Sequence, residues 1–295
     1  MQYEVRKLKF RRYSDMDAYK TDVLGILLED EVLNNLPISI LLDSKMDKPA
    51  NWLLSTVTDD NGTIVLIAMC TKPFNLLLYE PVRSSNNDAV GLLASELRSI
   101  GFAPPGVIAL TGLARRFADA YCGVRENTGS KLVMSMILMR LDKLTDYNKA
   151  PGFSRMLTVE DLSFAPSWEH AFCVDCGFST STIPEYEERI RTRVGKDTHF
   201  IWEDGQPVAQ AVNGRNTPNG AVVNWVYTPP LFRGRGYATS VVAEASRALF
   251  DRGKSYCCLF ADAANPVSCG IYRKLGYYDV CEFAEIQFYT RRRLT

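Results

Sequence analysis

The chain lacks most of the features that would place it at a glance. It has no run of 18 apolar residues, so no membrane-spanning helix is expected. Neither sign of charge is in excess: Lys plus Arg number 34, Asp plus Glu number 34, and each half of the chain balances separately. A nucleic-acid binder would show a basic surplus, so nucleic acid is not expected as a partner. Histidine is almost missing, with only His170 and His199. The eight cysteines are scattered, and Cys173-x-x-Cys176 is a lone pair where a zinc site needs a second pair or suitably spaced histidines. No metal is therefore expected. The first ten residues have no apolar core of signal-peptide length, which points to a cytoplasmic protein with reduced thiols. Two familiar phosphate motifs are missing too: there is no Gly-x-x-x-x-Gly-Lys, and Gly234-x-Gly236 is followed by Thr239 where a third glycine would stand.

What is present is a strand-like run, Ala221-Val-Val-Asn-Trp-Val-Tyr-Thr228, then Pro229-Pro230, then Arg233-Gly-Arg-Gly-Tyr-Ala-Thr239. Ala238, Val241, Val242, Ala245 and Leu249 follow at the spacing of one helix face. The glycines thus stand where a strand gives way to a helix start. A first helical turn has unpaired N–H groups and partial positive charge, and glycine lets the backbone approach an anion closely. A phosphate pocket is the natural expectation. Proline cannot donate to a ladder, so the strand must end or splay at Pro229. Further on, Asn265 suits an N-cap, Pro266 a first helical position and Gly276 a C-cap, with Tyr272 near the helix end.

Composition is that of an ordinary globular protein, 46% hydrophobic and 23% charged over 295 residues, enough for two domains of roughly 150 residues each. In the second half, strands are expected at 198–203, 206–212, 221–228, 255–261 and 277–289. Helices are expected at 159–176, 184–194, 237–251 and 266–275. The first half has the same order: strands at 52–58, 63–71, 75–79, 107–110 and 131–141, and helices near 15–28 and at 88–100 and 112–121. A turn is read at Asn34-Asn35-Leu36-Pro37. Alternation of this kind predicts a mixed α/β sheet, and the repeated order suggests a duplication. The split is read as a domain at 1–147 and a second at 153–295, with a linker near 143–158.

The segment Arg233-x-x-Gly236-x-Ala238, with Asn265-Pro266 and Tyr272-x-Lys-Leu-Gly276 in the same order, resembles the acyl-CoA loop and following helix of the GNAT superfamily of N-acyltransferases. The resemblance covers about 153–290. It implies a tandem GNAT layout similar to glycine N-acyltransferase-like proteins, with acetyl-CoA as cosubstrate. It also implies transfer of the acyl group to the amine of a small molecule or amino acid by direct attack. Val226, Tyr227 and Thr228 would pair with the pantetheine arm. Gly234, Gly236, Tyr237, Ala238 and Thr239, with Arg233 and Arg235, would hold the pyrophosphate. Asn265 would contact the pantetheine region, and Tyr272 would be the general acid. The first copy has Val82-Arg-Ser-Ser-Asn-Asn-Asp88 in place of the loop, so one CoA site is expected, in the second copy.

No Glu, Asp or His stands on 221–228, so the general base is open among a water chain, Glu282, Glu285, Glu29 and Asp30. A protein N-acetyltransferase, or a CoA-binding module without turnover, stays as an alternative, and a homodimer stays open as well.

Overall fold

The structure, a computed structural model, describes residues 7–43, 51–81 and 87–291. In chain order its elements are β1 (Lys9–Arg12), α1 (Met16–Glu29), α2 (Asn35–Leu42), β2 (Leu53–Thr58), β3 (Ile64–Cys70), β4 (Leu76–Tyr79), α3 (Asn87–Ser99), β5 (Gly106–Leu110), α4 (Thr111–Gly123) and β6 (Thr128–Leu141). Then come β7 (Phe153–Met156), α5 (Ala165–Asp175), α6 (Ile183–Arg191), β8 (His199–Glu203), β9 (Pro207–Gly214), β10 (Gly220–Tyr227), α7 (Tyr237–Asp251), β11 (Tyr256–Asp262), α8 (Pro266–Lys274) and β12 (Tyr278–Thr290). Apart from two short 3-10 turns, the second ten elements repeat the types of the first ten in order. The pairing repeats too. β1–β2, β2–β3 and β3–β4 are antiparallel and β4–β5 is parallel; β7–β8, β8–β9, β9–β10 and β10–β11 follow the same scheme.

Three expectations are corrected. Residues 35–42 are a helix and not only a turn, because Pro37 falls in the first turn, where its missing N–H has no partner to lose. The stretch 159–176 is broken at Phe164, with a 3-10 turn at Glu160–Ser163 before α5, and Pro166 takes an early helical position. Two short edge strands, β1 and β7, lie where none was expected.

The chain forms two compact units, and no single cut near residue 150 separates them. Unit 1 is Met1–Leu138 with Asp262–Ala264 and Cys281–Thr295; unit 2 is Met139–Ala261 with Asn265–Val280. In unit 1 the strand order is β1-β2-β3-β4-β5-β12-β6, so the last strand of the chain lies beside β5, with Phe283 opposite Leu110 and Gln287 opposite Gly106. Successive side chains of a strand point to opposite faces. Leu53 accordingly joins the cluster formed with α3 and α4, where Leu93, Leu97 and Phe117 are buried, while Leu54 joins the cluster with Tyr19 and Leu27 of α1. Both sheet faces are covered.

Unit 2 has the order β11-β10-β9-β8-β7. Ile201 of β8 packs with Ala165, Cys173, Tyr186 and Ile190 of α5 and α6. The apolar stripe of α7, Val241, Val242, Ala245 and Leu249, is buried, and α7 packs on β8, β9 and β10. The segment before β7 runs along this helix. Tyr147 Oη donates to Glu244 at 3.4 Å, the Ala150 N–H to Ser240 Oγ at 2.8 Å, and Trp202 Nε1 to the Pro151 carbonyl at 2.8 Å.

Candidate active site

The site begins with a split in the unit 2 sheet. The parallel ladder of β10 with β11 runs only from Gly220–Tyr256 to Val222–Cys258, although both strands continue. On the other edge the ladder with β9 shifts: Asn224 faces Val212, but the next pair is Tyr227 with Gln210. One extra residue is therefore held in β10, a bulge. Trp225 carries it with φ of +51°, a left-handed conformation rare for a bulky residue, at a cost of about 1–3 kcal/mol. Trp225 and Val226 thus stand in neither ladder. The buried Asn224 Oδ1 and Thr228 Oγ1 find no partner among the described residues.

A polar bracket holds the bulge from β9. Gln210 Nε2 donates to the Trp225 carbonyl at 3.4 Å, so its Oε1 is the acceptor facing His199 Nε2 at 3.3 Å. His199 therefore carries its proton on Nε2 and leaves Nδ1 without a partner among the described residues. Burial, aided by the nearby Arg193 charge, pushes the His199 pKa down to about 3 from 6.5. The unfolded chain then binds a proton below pH 6.5 that the folded chain refuses, so stability falls as pH drops from 6.5 towards 3. From this residue alone the protein should lose about 2 kcal/mol between pH 8 and pH 5. Urea midpoints at the two pH values should converge in His199→Gln; an equal loss in the variant would remove His199 as the cause.

After Tyr227 come Pro229, a 3-10 turn at Pro230–Phe232 and the two glycines, Gly234 at φ +78° and Gly236 at φ +83°. Gly236 is the N-cap of α7 and has no side chain to satisfy the first turn. The Ser240 N–H returns to the Gly236 carbonyl at 3.1 Å. The N–H groups of Tyr237, Ala238 and Thr239 precede that first helical bond and have no acceptor within the helix. Arg233 is turned to the scaffold. Its guanidinium donates to the Thr228 carbonyl at 2.9 Å, pairs with Asp175 at 2.6 Å and lies over the Tyr227 ring. Arg235 is exposed at the loop tip.

On α8, Asn265 caps the helix, accepting from the Ser268 N–H at 3.0 Å. Tyr272 is buried beside Tyr277, with ring centroids 5.9 Å apart. Burial raises its pKa, and a hydrogen bond with Ser268 pulls it partly back. The phenol is therefore protonated at neutral pH. The candidate bases named from sequence, Glu29, Asp30, Glu282 and Glu285, all belong to unit 1. There Asp30 accepts from Tyr79 Oη at 2.7 Å and Glu285 accepts from Asn75 at 2.8 Å. The acidic side chain that sequence reasoning passed over is Glu169 of α5, fully buried and paired with Arg193 of the segment after α6. Its signal was a lone carboxylate within Ala165-Pro-Ser-Trp-Glu-His-Ala-Phe-Cys-Val174.

In the first copy, residues 82–86 of the replaced loop lie outside the described residues. α3, the counterpart of α7, starts at Asn87 with Asp88 in its first turn, which puts a negative charge at that helix start.

Residues 204–284 match a family model described as FR47-like protein. A GCN5-related N-acetyltransferase from Sphaerobacter thermophilus superposes with a TM-score of 0.67 at 16% identity, over 96% of this chain and 95% of that one. The chain has the tandem GNAT fold. A GNAT-family acetyltransferase from Colwellia psychrerythraea gives a TM-score of 0.62 at 13% identity, over 96% and 100%. A tandem GNAT protein from the clavulanic acid biosynthesis pathway gives 0.59 at 12%, over 96% and 98%. No curated protein matches in sequence. Among the described residues no helix is long and apolar enough to cross a membrane. In this GNAT fold, the split strand, the bulge and the glycine-capped helix all lie in unit 2.

Proposed function

We propose that unit 2 binds acetyl-CoA and transfers its acyl group to the amine of a small molecule. One observation carries the reading: α7 opens behind a left-handed glycine on three N–H groups that have no acceptor among the described residues, beside a strand whose ladder with β11 has stopped. That pairing suits a ligand with a diphosphate and a linear amide-bearing arm. The N–H groups of 237–239 and the Thr239 hydroxyl hold the diphosphate, and Arg235 adds charge at the loop tip. Arg233 serves at one remove, by fixing the loop to α5 and to Thr228. The end of β10 and the residue after it, Val226 to Thr228, take the arm as an added strand on the side where the ladder with β11 has stopped. The orphaned Thr228 Oγ1 and Asn224 Oδ1 fit such a polar occupant.

The ligand supplies an activated thioester. The Val226 N–H, on a residue outside both ladders, stabilises the carbonyl oxygen as the amine attacks, a contribution of about 3 kcal/mol for one donor. Tyr272 gives its proton to the departing sulfur and regains one, through solvent, from the amine nitrogen that has formed the amide. Its raised pKa keeps the phenol protonated but makes full transfer less downhill, so its main effect is a strong hydrogen bond to the developing thiolate. Tyr272→Phe should lower thiol release about 100-fold with acetyl-CoA affinity unchanged. Turnover at the wild-type rate would remove Tyr272 from the chemistry. Calorimetric titration with acetyl-CoA tests the reading itself, and no heat at millimolar ligand would end it.

A further inference from the structure

Arg189 of α6 and Arg193 just beyond it both lie over the indole of Trp225, with guanidinium carbons 5.4 and 5.8 Å from the ring centroid. That indole projects from the bulge of β10 and meets Phe172 of α5. The cluster has two positive charges and one negative. Glu169 Oε1 accepts from Arg193, while Arg189 stays 3.6 Å from Oε2, beyond hydrogen-bond length. Among the described residues the Arg189 guanidinium donates no hydrogen bond, and Glu169 Oε2 receives none.

The other carboxylates nearby are hydrogen-bonded elsewhere. Glu187 pairs with Arg191 and Asp161 with Arg155. Glu185, one turn before Arg189, closes the capping box with Thr182 and acts on Arg189 only through its charge. The Arg189 fork is thus left without a hydrogen-bonded carboxylate at the bulge. Arg189 is 44% exposed, so a solute can reach it. Stacking on Trp225 and on Tyr186, 4.7 Å away, holds its planar fork in place, so little freedom is lost when the fork receives two oxygens.

We propose that the acceptor amine carries a carboxylate, which Arg189 receives against the Trp225 ring while Glu169 keeps Arg193 in place. This rests on the transferase reading above and narrows its substrate to amino-acid-like amines. A guanidinium has five donors, so Arg189 can take the ligand and still close on Glu169 Oε2.

The test uses the full chain with acetyl-CoA and thiol release as readout. Each acceptor is presented as the amino acid, its carboxamide, its decarboxylated amine and, where available, a phosphate-bearing analogue. The amino acid should be preferred over its carboxamide by tenfold or more in kcat/KM, expressed in KM. In Arg189→Met that ratio should collapse to near one. Arg189→Lys, which keeps charge without the fork, should fall between. Arg191→Met, on the same helix but paired with Glu187, should keep the wild-type ratio. Equal use of acid and carboxamide, preference for the phosphate analogue, or a ratio surviving in Arg189→Met would each overturn the proposal and leave the transferase reading standing. Failure of every amine tried to raise thiol release above that of acetyl-CoA alone would overturn the transferase reading itself, and this proposal with it.

Discussion

Gly236→Asp is expected to abolish acetyl-CoA binding while leaving the protein folded. The new Cβ would meet only Ala150 Cβ, at 3.7 Å, so space is not the obstacle. The backbone at φ +83° favours glycine, but Asp tolerates the left-handed region better than most residues, so the folding penalty is about 1 kcal/mol. The larger effect is charge. An added carboxylate at the helix start stands where the diphosphate must lie. Two like charges roughly 4 Å apart at a surface-like dielectric repel by about 4 kcal/mol, or on the order of 1,000-fold in affinity. Calorimetry and ligand-induced thermal shift read this directly. Gly236→Ala supplies the strain without the charge and should lose only about tenfold. Affinity in the Asp variant within tenfold of wild type would place the phosphates elsewhere.

Glu169→Ala should produce a large loss of stability in unit 2. The carboxylate is fully buried between α5 and the segment after α6, and Arg193, only 15% exposed, has it as its ion-pair partner. Deleting one member of a buried pair strands the other, at a typical cost of about 3–5 kcal/mol. Spread over a unit of this size, that lowers the melting temperature by roughly 10 °C. Glu169→Leu combined with Arg193→Met removes both charges and should recover part of the loss, since an apolar pair of similar volume can replace a buried ion pair. A loss under 1 kcal/mol in Glu169→Ala would mean that Arg193 reaches solvent freely. The same variant connects stability to the proposed acceptor site. Without Glu169, Arg193 loses the partner that fixes it over Trp225, next to Arg189.

Much of the fold was legible because its signals are local. The α7 stripe, the two glycines and the Asn265–Pro266 helix start each rest on neighbours within a few residues, and each is found where the sequence places it. The repeated order of elements was legible for the same reason, since hydrophobic period and turn residues are read segment by segment. The short edge strands β1 and β7 were not, because four residues such as Phe153-Ser-Arg-Met156 are too few to show a period of two. The run Asn34-Asn35-Leu36-Pro37 reads as a turn because Pro37 suits a turn and a first helical turn equally, and the structure makes it the start of α2.

The sequence alone therefore determined where a helix would start behind two left-handed glycines, since glycine conformation and capping depend on adjacent residues. It also determined that the first copy's α3 starts under the negative charge of Asp88. Only the tertiary structure decided the rest. It tied Arg233 to Thr228 and Asp175, set Trp225 in a left-handed bulge braced by Gln210 and His199, and drew β12 beside β5 across more than 170 positions of chain. It also joined Glu169 to Arg193 across 24 positions. These are contacts between residues far apart in sequence. Such contacts arise only once apolar faces have packed and the buried charges and polar groups among them have had to find partners.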